Sequence, residues 1–339
     1  MDNNVALWSL LLILAFFIGF VANRTTLCAV RAVEEVINNH QAKLLMSFFR
    51  VMLWSLVISI LVALLFEETA LQEYNFTVVA IVGGLLFGLG ATINGGCALH
   101  TLVRLGTGDM GMLLTILGLT SGAILTKQML LKYAFFGAVP KVTNIPLSDN
   151  WQLLITIILL TILLFELVKY MGSINIYKWC KRVFSSKYDL RTSAAILGIS
   201  NGILFTLIGP WMYTNTIIQS ITNQLLPNTA FYQEISTLLW LLLMALLAGI
   251  MLSSLLKKEF QLLIKPNKKW LFYLLGGMFM GAGAMLIPGG NDALLMSYMP
   301  SFSPHAFPAY FAILIGIGIS SFLAKTGKSR LRSNLELKK

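Results

Sequence analysis

Two cysteines stand where apolar runs of this chain are broken by small and polar residues. Cys28 closes the stretch Asn23-Arg24-Thr25-Thr26-Leu27-Cys28, and Cys97 closes Asn94-Gly95-Gly96-Cys97. Paired glycines let backbone N–H groups turn toward a ligand, and a helix that starts there presents its positive end. A thiol at such a place is a sulfur beside unpaired N–H donors, which suits an anion that carries sulfur. The same cysteines can also be read as small buried hydrophobes. No paired carboxylates and no metal-ligand spacing accompany them, so no catalytic residue, metal ligand or cofactor is assigned. Cys180 lies in a basic stretch and is given no role.

A second interruption follows later, at Pro288-Gly289-Gly290-Asn291. Asn291 occupies the place that Cys97 holds in the first; it can donate a hydrogen bond to an anion but offers no thiol. Asp292 next to it has two open roles. It either repels an anion or caps the short helix that follows. Arg24 and Arg104 lie inside or at the edge of apolar runs, where a cation is costly unless used. Each either draws an anion inward or snorkels to the lipid headgroups. The residues expected to bind substrate are therefore Cys28, Cys97, Gly95, Gly96, Gly289, Gly290, Asn291 and Arg104.

The elements that must position these residues are membrane helices. The chain has 339 residues, is 57% hydrophobic and only 12% charged. Soluble domains carry about twice that share of charge, so soluble enzymes and nucleic-acid-binding domains are excluded. Spans of about 20 apolar residues are expected near 5–22, 44–66, 77–93, 110–127, 151–170, 192–208, 235–256, 271–287 and 306–324. The net charge of +11 gathers in basic clusters at 169–191, 257–269 and 325–339, each beside an apolar run. By the positive-inside rule these are cytoplasmic loops, which puts the N-terminus outside and the C-terminus inside. The loop 128–150 fits this less well, because it should be external yet carries Lys132 and Lys141.

The chain also repeats itself. Gly83-Gly84, Gly88 and Gly90-Ala91 recur at the same spacing as Gly276-Gly277, Gly281 and Gly283-Ala284. One residue is inserted before the Asn94-Gly95-Gly96-Cys97 and Pro288-Gly289-Gly290-Asn291 turns are reached. Gly19 matches Gly198 more loosely. With span five as connector, the two halves have opposite topology, the arrangement that places a site at the midplane where broken helices meet. The expected fold is an all-α polytopic membrane protein with nine transmembrane helices, four short re-entrant or broken helices and two inverted-topology repeats. Its parts are 1–150 (first repeat), 151–191 (connector and basic loop), 192–325 (second repeat) and 326–339 (basic tail).

Arg24 through Cys28, Gly95-Gly96-Cys97 and the Arg104-Leu105-Gly106-Thr107-Gly108 stretch resemble the YeeE/YedE sulphur-transport family, as do Gly209-Pro210-Trp211 and Gly289-Gly290. The resemblance runs over nearly the whole chain. It implies uptake of thiosulfate across the bacterial inner membrane, passed along thiols that line a narrow constriction. A third thiol, which the resemblance implies after Gly289-Gly290, is Asn291 here, and His100 stands where a small residue is usual. The expected substrate is a small sulfur-containing anion, thiosulfate first, and the expected partners are that anion and the bilayer. A cytoplasmic sulfur-transfer protein is a candidate partner, and nucleic acid is not. The rival readings are a membrane thiol oxidoreductase using Cys28 and Cys97 as a redox pair, and an anchor or delivery subunit for a cytoplasmic sulfur-transfer protein.

Overall fold

A computed structural model describes residues 2–25, 27–65, 72–132, 142–144, 185–223, 230–264 and 269–336, with scattered positions between 157 and 168. The helices are α1 (Asp2–Thr25), α2 (Ala29–Asn39), α3 (Lys43–Leu65), α4 (Val78–Asn94), α5 (Ala98–Gly106) and α6 (Met112–Lys132). They continue as α7 (Leu190–Ile208), α8 (Tyr213–Asn223), α9 (Ala230–Leu256), α10 (Lys269–Leu286), α11 (Asn291–Ala293, continued by a π turn at Leu294–Tyr298) and α12 (Ala306–Glu336). Among the described residues, eight helices are long and apolar enough to cross a bilayer. They fall on eight of the nine expected spans. The fifth, 151–170, lies mostly outside the described residues, as does Cys180.

The outward faces suit lipid. On α12, Phe311, Ile315, Ile319 and Phe322 form an exposed stripe, an apolar face of the kind soluble monomers rarely leave in water. The inward faces are built for close approach. A Cβ on Gly83 would lie 2.9 Å from the Gly283 carbonyl oxygen, and one on Gly90 would lie 2.6 Å from that of Gly276. Residue numbers rise along α4 as they fall along α10, so these matched glycine helices cross antiparallel.

The rest of the packing obeys the same two-fold exchange. Gly84 rests on the Ala309 carbonyl as Gly277 rests on that of Thr115. Gly88 rests on Ile313 as Gly281 rests on Leu119, and Gly316 on Leu85 as Gly122 on Met278. The looser match is repeated too: Gly19 meets the Leu246 carbonyl and Gly198 that of Val51. Thus α4 packs on α12 as α10 packs on α6, and α1 on α9 as α7 on α3. These are the relations of two copies of one six-helix unit that run in opposite directions.

The short helices α2, α5, α8 and α11 sit at the four breaks. Gly95, at φ +76, ends α4 in the left-handed conformation that only glycine enters freely. Gly209, at φ +87, ends α7 before Pro210. Two short strands, β1 (Gln72–Tyr74) and β2 (Val142–Asn144), pair antiparallel. Ser303 fastens this ribbon to the start of α12: its hydroxyl accepts from the Tyr74 N–H at 2.7 Å and donates to the Tyr74 carbonyl at 3.2 Å. The rings of Tyr74, Tyr298 and His305 stack edge-on around that joint, 5.1–5.2 Å apart.

Candidate functional site

Cys28 and Cys97 are the N-cap residues of α2 and α5. Both are free thiols, wholly buried, and the two are polar neighbours of one another. Extended backbone at both caps, φ −146 at Cys28 and φ −76 with ψ 177 at Cys97, turns the sulfurs toward the helix starts. The Cys28 sulfur faces the N–H groups of Val30, Arg31 and Cys97; the Cys97 sulfur faces those of Ala29 and His100. Neither closes a capping hydrogen bond within its own helix. Two positive helix ends therefore converge on one pair of sulfurs, an arrangement that favours an anion.

The glycines before these caps act differently from what their sequence suggests. The Gly95 N–H donates to the Thr92 carbonyl at 3.1 Å and the Gly96 N–H to that of Ala91 at 2.9 Å. Together they close the end of α4 in the double-bonded helix stop known as a Schellman motif. The Gly289 N–H likewise donates to the Ala284 carbonyl at 2.8 Å, and the Gly290 N–H to Thr214 Oγ1 at 3.0 Å. A glycine that lets a helix stop abruptly must satisfy the carbonyls left behind, which engages the very N–H groups a ligand would need. The N–H groups facing the sulfurs come instead from the first turns of α2 and α5. The ring of His100 lies directly over Gly96, where any Cβ would meet it.

The second half replaces sulfur with oxygen and amide groups. Asn291 Oδ1 accepts from the Ala98 N–H at 3.4 Å, which brings the Asn291 side chain to the first residue after Cys97. Asp292 accepts from the Thr214 N–H at 3.3 Å and from the Thr214 hydroxyl. Of its two open roles, Asp292 therefore caps a helix, but the helix is α8 and not its own. Trp211 of the Gly209-Pro210-Trp211 stretch donates from Nε1 to Asn201 Oδ1 at 3.1 Å, and the Asn201 amide in turn donates to Ser55 Oγ and the Met296 carbonyl. This holds the start of α8 against α3 and the π turn.

The structure thus brings Cys28, Cys97, Gly95, Gly96, Gly290 and Asn291 into one locus, with Gly289 just behind it. Arg104 stands apart, seven residues along α5 or about 10 Å of helix. Its guanidinium pairs with Asp109 at 2.5 Å, donates to the Tyr273 hydroxyl at 2.8 Å and lies over the Tyr273 ring. Arg24 is further from an anion-drawing role. It donates to Ser253 Oγ and the Ser185 carbonyl and lies between the rings of Phe20 and Tyr188, tying the 185–188 segment to α1 and α9.

Sequence reasoning passed over Thr214, Tyr213 and Tyr310. Thr214 joins Gly290 to Asp292, and the hydroxyls of Tyr213 and Tyr310 are buried without a hydrogen-bond partner among the described residues. The only signal for the first two was their place two and three residues after Trp211 in the Gly209-Pro210-Trp211 interruption. Tyr310, inside an apolar run, gave none.

Among the curated proteins, none matches the chain. A family model described as sulphur transport matches residues 24–319, most of its length. It begins at Arg24, four residues before the first thiol, and takes in both glycine turns. The match joined to eight membrane-crossing helices places the chain in the YeeE/YedE sulphur transport family, as a sulfur-related membrane transporter.

Proposed function

We propose that the protein takes up a small sulfur-containing anion, thiosulfate first, across the bacterial inner membrane. In this reading Cys28 and Cys97 line a constriction between the two repeats, and Asn291 stands in for a third thiol. The observation that carries it is the pair of buried, mutually facing thiols at two converging helix N-termini. A soft sulfur atom of the anion meets S–H donors there while its charge meets the helix ends. Gly95, Gly96, Gly289 and Gly290 serve by stopping α4 and α10 at the right depth. Arg104, its charge balanced by Asp109, biases the local field at the end of α5. The N-terminus lies outside and the C-terminus in the cytoplasm. Residues 1–150 and 192–325 act as the two rocking or sealing units, joined by 151–191, and the tail 326–339 stays cytoplasmic, available to a sulfur-transfer protein.

The test is growth of a host that lacks its own sulfur uptake, with thiosulfate as the only sulfur source. Growth with the wild type and none with Cys97→Ala, at equal membrane expression, is the expected result. Growth that is indifferent to Cys97→Ala, or absent with well-expressed wild type, defeats the reading.

The facing thiols also favour a redox pair as the second reading. It predicts that Cys28 and Cys97 resist alkylation until a reductant is added, whereas a transport constriction holds them as reduced thiols with and without reductant.

A further inference from the structure

The two halves of the site differ in chemistry, and the difference has a pattern. The first repeat supplies both thiols. The second supplies Asn291 and, close by, two phenol hydroxyls. Tyr213 opens α8, next to Thr214, whose hydroxyl holds the Gly290 N–H. Tyr310 lies on α12, which packs on the π turn that follows α11. Cys97 is an electrostatic neighbour of both phenols, and Asp292 of Tyr213. Tyr213 is 3% and Tyr310 6% exposed, and neither hydroxyl has a hydrogen-bond partner among the described residues. Buried phenols normally find one, because an unmet hydroxyl is costly. Two such hydroxyls on different helices, both buried, both unpartnered and both within electrostatic reach of Cys97, point to a shared ligand.

We propose that Tyr213 and Tyr310, with Asn291, form an oxyanion-recognising half of the site, opposite the sulfur-recognising half made by Cys28 and Cys97. This rests on the transport reading above. The ligand class it selects has two unlike ends, a terminal sulfur and a cluster of sulfonyl oxygens, which is the chemistry of thiosulfate. Sulfur meets the weak S–H donors, and the charged oxygens meet the stronger O–H and amide donors. An anion with oxygens alone fits one half, and hydrosulfide, with no oxygen, fits the other. The missing third thiol is then a gain in oxygen recognition and not a lost contact.

The experiment is uptake of radiolabelled thiosulfate by the full-length protein in liposomes, with hydrosulfide as competitor. Each of Tyr213→Phe and Tyr310→Phe is expected to raise the half-saturating thiosulfate concentration by about ten-fold or more, as loss of a hydrogen bond to a charged group does. Both variants keep the wild-type sensitivity to hydrosulfide, because the thiols are untouched. A purely structural role would change thiosulfate and hydrosulfide recognition together. Where a phenylalanine variant fails to reach the membrane, Asn291→Leu probes the same half. Thiosulfate saturation within two-fold of wild type in both tyrosine variants overturns the proposal, as does a parallel loss of hydrosulfide competition. Wild type that is insensitive to hydrosulfide overturns it as well. If the wild type carries no thiosulfate, the transport reading fails and this proposal with it; silent tyrosine variants beside a dead Cys97→Ala defeat this proposal alone.

Discussion

Thr214 shows how much one hydroxyl can hold in this site. Its oxygen accepts the Gly290 N–H while its proton goes to Asp292, and its own N–H reaches the same carboxylate. Thr214→Val keeps the shape and strands a buried N–H and a carboxylate oxygen at once. An unmet buried partner of a charged group costs about 1–3 kcal/mol or more, so we expect a clear drop in the unfolding midpoint in detergent. Thr214→Ser should recover most of it; equal midpoints for wild type and Thr214→Val would show that the link does not matter. None of this was legible from residue types. Asp292 beside Gly290 read as either a repelling charge or a cap for its own helix, because its partner lies 78 positions away and is set by tertiary packing. That both cysteines stand at helix starts was legible, because Cys97 directly follows Gly-Gly and Cys28 closes a polar interruption of an apolar run. The glycine N–H groups were read too directly, since their engagement depends on which carbonyls the stopped helix leaves open.

Helices α4 and α10 carry the fold through glycine, and that was legible because two identical spacings can be compared within one chain. What no spacing shows is that Gly83 meets Gly283 while Gly90 meets Gly276. The exchange makes a prediction. Gly83→Val and Gly276→Val meet backbone from the opposite helix at 2.9 Å and 2.6 Å respectively, where no rotamer relieves the clash. Overpacking of this kind costs about 1–3 kcal/mol or more, and the two variants should lose stability by similar amounts. Val82→Leu, on the exposed face, should lose almost none; a large gap between the two glycine variants would break the symmetry argument. A further element-level effect lies at the ribbon joint, outside the spans. Burial lowers the His305 pKa from 6.5 to about 4, so this ring stays neutral in the folded protein. The unfolded chain binds the proton first, and stability is therefore lost as pH falls through the window from about 6.5 to 4. His305→Gln should flatten that part of the pH–stability curve in detergent, and an unchanged slope would remove His305 as its source.

At the scale of the whole molecule, two oppositely directed copies of one unit have come to differ in the residues they bring to their meeting point. A symmetric pair of halves by itself gives net movement no direction. Direction must come from the energetics of the ion. Moving charge into a negative interior costs about 2.3 kcal/mol per charge per 100 mV, so a dianion faces about twice that. The buried carboxylate at the locus, Asp292, is engaged with α8 and is not free to ferry protons. We therefore expect thiosulfate movement to be electrogenic and uncoupled. In liposomes clamped by a potassium gradient and valinomycin, an interior 100 mV negative should lower steady-state accumulation by about three orders of magnitude relative to zero potential. An interior-positive potential should raise it by a like factor. Accumulation that persists against the negative potential, and collapses when a proton or sodium gradient is removed, would mean that a cation travels with the anion. The uncoupled mechanism would then be wrong, and sulfur would enter by symport through the same pair of thiols.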